Sequence, residues 1–85
     1  MDGTKNKLLE ETKKWLSRIE TEKYIVNNES EEVKNVLKNL KAYINDCKYF
    51  LEQGDMIRAF EAIVYAWGIY ETLLHLKIIS RKNKI

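Results

Sequence analysis

Near the middle of the chain the sequence reads Phe50-Leu51-Glu52-Gln53-Gly54-Asp55-Met56-Ile57-Arg58-Ala59, and this stretch decides the fold. Gly54 adopts at little steric cost the positive φ that ends a helix. Asp55 is a favoured N-cap residue, and its carboxylate suits the positive end of the next helix dipole. A connection this short forces the two flanking helices into an antiparallel hairpin.

The segment before Gly54 has the periodicity of a bundle helix. Its apolar side chains recur at spacings of three and four and cover an arc of about 140°. They are Val33, Val36, Leu37, Leu40, Tyr43, Ile44, Cys47, Phe50 and Leu51. This pattern predicts helix 2 over about residues 30–53, with Asn28 and Ser30 competing for the N-cap.

Further upstream, a second apolar pattern predicts helix 1 over about residues 4–26. Its core face consists of Leu8, Leu9, Thr12, Trp15, Leu16, Ile19 and Val26, again at helical spacing. Asn27 and Asn28 should end the helix, because asparagine tolerates the left-handed conformation found at helix C-termini. The short loop that follows favours an up-down-up course for the helices.

Helix 3, predicted over about residues 55–79, is apolar over far more of its surface than one neighbour can cover. Its apolar arc spans roughly 240°, whereas an ordinary core-facing helix needs about 100°. Two neighbours cover about half of the circumference, so a strip near Ile57, Val64 and Ile78 should stay open. Alternatively, helix 1 wraps further round and covers the strip. A polar stripe of helix 3 should face solvent, and its members are Arg58, Glu61, Tyr65, Gly68, Thr72 and His75.

These patterns predict an all-α fold, an up-down-up three-helix bundle with a tight hairpin between helices 2 and 3. The chain, residues 1–85, is short enough for a single domain, and residues 80–85 should form a frayed tail. The composition is 45% hydrophobic and 33% charged, which is typical of a globular protein.

The charge balance and the cysteine count exclude several classes of function. Fifteen basic and thirteen acidic residues leave a net charge of +2, which gives no global attraction to nucleic acid or to an anionic membrane. A single cysteine excludes an intrachain disulfide and a multi-cysteine metal site.

The sequence also lacks a predicted membrane span. The longest uncharged run of helix 3 is residues 62–70, which is too short for a membrane span of about 20 residues. The N-terminus lacks the apolar stretch of a signal peptide, so we expect a cytoplasmic protein.

The hairpin also resembles a known family. The relevant residues are Asp46-Cys47-Lys48-Tyr49-Phe50-Leu51-Glu52-Gln53-Gly54-Asp55, followed by Ala59-Phe60-Glu61-Ala62-Ile63 and Tyr65-Ala66-Trp67-Gly68. From about residue 43 to residue 76 the chain resembles the archaeal domain of unknown function 357 family. The resemblance implies a small helical bundle and, as the name states, no known function. It also implies a small residue such as alanine at Cys47 and an acidic residue at Glu71.

Three side chains are candidates for chemistry. His75 is the only histidine, and Glu71 lies one helical turn before it, so the two form either a catalytic pair or an ordinary surface pair. Glu71 falls inside the apolar arc of helix 3, where a carboxylate needs a partner or an interface edge. Cys47 lies on the core stripe of helix 2 and is interpreted as a small buried hydrophobe. Without any phosphate loop, metal-spaced set or nucleophile motif, we expect no enzyme, no metal site and no cofactor.

The sequence leaves two hypotheses of function. In the first, the protein is an interaction module, a homodimer or the ligand of another protein, and the partner-binding residues are Ile57, Val64, Glu71, His75 and Ile78. In the second, it is an accessory nucleic-acid-binding protein that contacts phosphates through the basic face of helix 2, formed by Lys34, Lys38, Lys41 and Lys48. The ordinary interpretation of these lysines is a solvated helix face.

Overall fold

The computed structural model of the chain describes residues 3–82, with residues 4 and 5 described by their backbone only. Three helices and two short strands follow one another: α1 (Gly3–Thr21), β1 (Tyr24–Val26), α2 (Glu31–Glu52), α3 (Met56–His75) and β2 (Ile79–Arg81). The all-α class is confirmed, although the two strands pair in a small antiparallel ribbon that the sequence analysis did not predict. The up-down-up course of the helices stays a prediction.

The hairpin between α2 and α3 is closed by two caps that share one turn. Gly54 has a φ of 76°, and its N–H donates to the carbonyl of Leu51 at 3.1 Å. The N–H of Asp55 donates to the carbonyl of Phe50 at 2.9 Å, which completes a Schellman motif. The Asp55 carboxylate then accepts from the N–H of Arg58 at 3.1 Å and starts α3. The chain therefore reverses at the residues that the sequence indicated.

The other cap of α2 is Ser30 rather than Asn28. The Ser30 hydroxyl accepts from the N–H of Val33 at 3.2 Å. Asn28 supports the cap from outside, because its side-chain oxygen accepts from the N–H of Ser30 at 2.9 Å. Both predicted residues contribute, one to the helix and one to the turn before it.

The central element of the core is α3. It contributes the largest share of buried residues: Ala59, Ala62, Ile63, Ala66, Tyr70 and Leu73. Both α1 and α2 pack mainly on α3 rather than on each other. Three of the buried residues are alanines, and small side chains let a neighbouring helix approach closely. The molecule is therefore built around one helix.

Two tryptophans fasten α1 to α3. The rings of Trp15 and Trp67 lie edge to face, with centroids 5.5 Å apart. The indole N–H of Trp67 donates to the main-chain carbonyl of Trp15 at 3.0 Å. The ring contact adds a stabilisation of about 0.5–1.5 kcal/mol to the apolar burial, and the hydrogen bond fixes the position of α1 along α3.

The predicted ends of helices 1 and 3 are wrong by several residues each. Helix α1 ends at Thr21 instead of residue 26, and α3 ends at His75 instead of residue 79. The residues that follow each helix pair with each other, with Val26 opposite Ile79 and Tyr24 opposite Arg81. Aromatic and β-branched residues favour extended backbone, and here each short strand supplies the partner that the other needs. Residues 80 and 81, predicted as part of a frayed tail, thus lie in a paired strand together with Ile79, the predicted end of helix 3, while residues 83–85 lie outside the described residues.

The strand pair depends on a second Schellman motif at the end of α3. Lys77 has a φ of 61°, and the N–H of Ile78 donates to the carbonyl of Leu73 at 3.0 Å. Asn27, predicted to end helix 1, instead follows β1 and holds this turn. Its side-chain amide donates to the carbonyl of Lys77 at 3.0 Å and to the Ser80 hydroxyl at 2.8 Å. Backbone and side chain together fix the reversal that returns β2 to β1.

The two Schellman turns yield an opposed pair of substitutions. Lys77→Gly should raise the free energy of unfolding by about 0.5–1 kcal/mol, because glycine adopts a positive φ without the strain of a side chain. Gly54→Val should lower it by about 1 kcal/mol or more for the converse reason. A Cβ at Gly54 would meet no atom within 4 Å, so the loss comes from the backbone and not from a clash. Urea unfolding of both variants measures the effect, and a destabilised Lys77→Gly protein would contradict it.

Candidate functional site

The side of α3 that faces away from α1 and α2 carries a regular row of exposed residues. Their spacing alternates between four and three residues, which is the spacing of a seam that contacts a second helix. We call this row the open face, and its members are Ile57, Glu61, Val64, Gly68, Glu71 and His75. Ile57 is 67% exposed and Val64 is 50% exposed, although both are large apolar side chains. The open face is therefore the principal candidate for a binding surface.

Two grooves border the open face, one on each side. The α2 groove, of about 640 Å³, lies towards α2 and is lined by Val36, Val64, Tyr65, Gly68, Ile69, Thr72, Leu73, Leu76 and Ile78. The α1 groove, of about 350 Å³, lies towards α1 and is lined by Trp15, Phe60, Ile63, Val64, Trp67, Gly68 and Glu71. Val64 and Gly68 line both grooves, so they form the ridge between them.

The structure brings together four of the five predicted partner-binding residues. Ile57, Val64, Glu71 and His75 all lie on the open face, and α1 does not cover Val64. Ile78 lies beyond the end of α3 and off the open face, although it lines the α2 groove. Ile78 is half-buried against the core, and its carbonyl accepts from the N–H of Asn27 at 2.8 Å.

Sequence reasoning overlooked two apolar residues beside the open face. Tyr65 is 60% exposed and Leu76 is 59% exposed, and both line the α2 groove. Tyr65 had been assigned to the polar stripe, whose members are all exposed as predicted: Arg58, Glu61, Tyr65, Gly68, Thr72 and His75. A signal was available for Tyr65, since tyrosine is amphipathic and aromatic residues are enriched at interfaces.

Glu71 and His75 are exposed, so the apolar arc of α3 does not bury the carboxylate. Glu71 lies at the edge of the α1 groove, the interface-edge position that the sequence analysis allowed. In the described part of the chain, residues 3–82, Glu71 and His75 form no hydrogen bond with each other. The carboxylate that accepts from a tyrosine of α3 is Glu22, whose partner is Tyr70.

Cys47 is fully buried, as its place on the core stripe predicted. Burial, together with the negative charge of Glu20, raises the pKa of the thiol to about 11. A nucleophilic or metal-binding cysteine needs the thiolate at neutral pH. Cys47 is therefore a packing residue.

A polar cluster joins the turn that follows α1 to α3 and β2. The Glu22 carboxylate accepts from the hydroxyl of Tyr70 at 2.7 Å and from Nε of Arg81 at 2.8 Å. These two hydrogen bonds, Tyr70 first, lower the pKa of Glu22 below its ordinary value. The pKa of Tyr70 is raised to about 12, mainly by burial and to a smaller extent by the hydrogen bond to Glu22 and the charge of that carboxylate. Sequence reasoning missed this cluster because it requires β1 and β2 to bring residues 22 and 81 together.

The lysine stripe on α2 is only partly available to a ligand. Lys34, Lys38, Lys41 and Lys48 are all exposed, but Lys48 forms an ion pair with Glu20 of α1. Among residues 3–82 the other three form no ion pair. Over the same residues, none of the helices combines the length and the hydropathy that a membrane crossing requires.

The chain belongs to the protein family of unknown function DUF357, whose family model matches residues 7–79. The family match therefore includes helix 1, whereas the resemblance seen in the sequence ran only from about residue 43 to residue 76. Among solved structures the chain is similar to the crystal structure of protein AF1782 from Archaeoglobus fulgidus, itself assigned to DUF357. The two chains are 36% identical with a TM-score of 0.78, and the similarity covers 93% of this chain and 99% of that one. No curated protein matches the sequence.

The polar cluster makes stability depend on pH. The pKa of Glu22 is lower in the folded state than in the unfolded chain, so the unfolded state binds more protons at acid pH. The stabilisation is thus fully present above the ordinary glutamate pKa and is lost as the pH falls through the folded-state pKa. Glu22→Gln should lower the free energy of unfolding by about 1–2 kcal/mol at neutral pH and flatten its decline in acid.

Urea titrations at a series of pH values, from neutral to about pH 2, measure this dependence. Glu10→Gln, which changes an exposed glutamate of α1, is the matched control and should behave as the unsubstituted protein. An equal slope in the Glu22→Gln and unsubstituted proteins would show that the cluster does not stabilise the fold.

Proposed function

We propose that this protein is a small, non-catalytic, cytoplasmic interaction module that self-associates through the open face of α3. One observation carries the proposal. The helix that forms the centre of the core also presents Ile57 and Val64 to solvent, and Val64 stands between two apolar grooves. Exposed apolar surface of this kind, bordered by polar residues, tends to mark a binding site. The buried Cys47 thiol fits a reducing compartment and a role in packing.

Energetics favour covering the open face. Fully burying an exposed Val or Ile side chain contributes about 1.5–3 kcal/mol, and roughly half to two thirds of that is still available from Val64 and Ile57, which are 50% and 67% exposed. The grooves allow a partner to interdigitate with the ridge formed by Val64 and Gly68 instead of resting on a flat surface. A second copy of the chain is the simplest partner, because two-fold homodimers are the commonest soluble oligomers.

Light scattering at micromolar concentration should give twice the chain mass of 10.1 kDa. Val64→Glu should return the mass to that of one chain without unfolding it, because the buried carboxylate would lack a partner in the interface. Tyr49→Glu is the matched control, since Tyr49 is 55% exposed on α2 and lies off the open face. A single-chain mass for the unsubstituted protein, or a Val64→Glu dimer as stable as the original, would reject self-association through α3.

A second candidate function rests on the lysines of α2. Lys34, Lys38 and Lys41 are exposed on one side of the helix, where they could contact successive phosphates. Two observations weaken this candidate. Lys48 is already paired with Glu20, and the net charge of the chain is only +2. We therefore rank nucleic-acid binding below protein interaction.

If α2 binds phosphates, affinity for a duplex or a single strand should fall steeply between low and physiological salt. Substituting Lys34, Lys38 and Lys41 together by glutamine should then reduce the slope of log affinity against log salt by about 2–3. Fluorescence anisotropy with labelled oligonucleotides measures both. The matched control replaces Lys7, Lys13 and Lys14 of α1, and no binding at low salt would eliminate this function.

A further inference from the structure

Gly68 lies in the middle of α3, and nothing in the part of the chain that the structure describes, residues 3–82, requires a glycine there. Glycine destabilises a helix interior relative to alanine, because it loses more conformational freedom on folding. The φ of Gly68 is not positive, and a Cβ at this position would meet no atom within 4 Å. Both the backbone and the space around it would accept alanine. A close approach from outside would use the missing side chain, since Gly68 lies on the ridge that both grooves share.

We propose that a second copy of the chain crosses α3 antiparallel to it, with the two-fold axis at Gly68. The inference rests on the proposed self-association and specifies its geometry. Without a side chain at the crossing point, two helix backbones can approach to the short end of the usual distance range. In a two-fold contact, Gly68 faces its own equivalent, and each residue before it faces one the same distance after it.

The charges of the open face select this arrangement. Glu61 lies seven residues before Gly68 and His75 lies seven residues after it, each about 10 Å from the crossing point along the helix. An antiparallel pair centred on Gly68 therefore places Glu61 of each copy opposite His75 of the other. An imidazole N–H donates to a carboxylate whether or not the ring carries a charge. The contact occurs twice, once on each side of the axis.

Two other arrangements of the open face pair its charged residues poorly. An antiparallel pair centred four residues earlier, at the exposed Val64, places Ile57 opposite Glu71 and leaves that carboxylate without a partner. In a parallel pair, Glu61 faces Glu61 and Glu71 faces Glu71 of the second copy. Juxtaposed carboxylates in an interface oppose association. Of these three arrangements, only the axis at Gly68 pairs an acidic residue with a hydrogen-bond donor.

The axis at Gly68 also uses the α2 groove. Val64 lies four residues before Gly68 and Thr72 lies four residues after it. Val64 of the second copy therefore comes to lie beside Thr72, on the wall of the α2 groove. The exposed valine of each copy enters the groove of the other, as an isologous contact requires.

Gly68→Ala should have opposite effects on folding and association. At concentrations where the protein is monomeric, the midpoint of thermal unfolding should rise by about 4 °C, because alanine favours the helix. The dissociation constant of the dimer, measured by sedimentation equilibrium, should rise at least about tenfold, because the added methyl group separates the helices. Asn45→Ala, on the exposed side of α2, is the matched control that should raise the midpoint and leave the dissociation constant unchanged.

A charge exchange tests the orientation. Glu61→Lys alone and His75→Glu alone should each weaken the dimer about tenfold or more. The first leaves a lysine opposite His75 without an acceptor, and the second sets two carboxylates opposite each other. The double variant should recover most of that loss, because each new lysine then faces a new glutamate. In a parallel dimer, Glu61→Lys would merely replace one like-charge contact by another, and the double variant would bring no recovery.

The results separate this inference from the proposed function. A chain that stays monomeric at every concentration overturns both. A dimer that is broken by Val64→Glu but unaffected by Gly68→Ala, or not restored by the charge exchange, preserves self-association and overturns the antiparallel crossing. Loss of association in Gly68→Ala together with recovery in the double charge variant supports the crossing at Gly68.

Discussion

The structure depends on the burial of α3 from two sides. Its alanines and large apolar residues give α1 and α2 one common surface, and the two outer helices have little contact with each other. Each outer helix is fixed on α3 by a specific feature: α2 by the Gly54-Asp55 turn, and α1 by the tryptophan pair and its hydrogen bond. In a domain of this size, which buries only a modest core, a single central helix concentrates most of the apolar contacts.

The same arrangement explains the strand pair. With α1 and α3 packed together, the chain segments that leave their C-terminal ends run side by side, and each satisfies the backbone groups of the other. The unfavourable φ of Lys77 is held by two backbone hydrogen bonds of the Schellman motif and by the side chain of Asn27. Glu22 closes the assembly with bonds to Tyr70 in the core and to Arg81 at its edge. A local strain is thus offset by contacts between residues about fifty positions apart.

The open face follows from the number of helices. Three helices leave the central one with an uncovered side, and on α3 that side includes Ile57 and Val64 as well as charged residues. The row combines two exposed aliphatic residues and a helical glycine with its charged residues. The mixture of apolar, small and charged residues at alternating spacings of four and three is suited to recognition by another helix. DUF357 membership and the similarity to the Archaeoglobus fulgidus protein establish the fold and the family, while the proposed function rests on the open face alone.

The sequence by itself determined the hairpin, the core stripes and the excess of apolar surface on α3, because these depend on local chemistry. Gly54, Asp55 and Ser30 act through their own backbone and nearest turns, and helical spacing places Ile57 and Val64 on one side regardless of what lies elsewhere. Only the tertiary structure decided where α1 and α3 end. Two segments with a helical pattern, Tyr24-Ile25-Val26 and Ile78-Ile79, contribute to a strand pair because packing brings them side by side. The local sequence of one segment gives no information about its pairing with the other. The bonds of Glu22, the position of Ile78 and the space around Gly68 have the same origin, since each depends on residues brought together by packing.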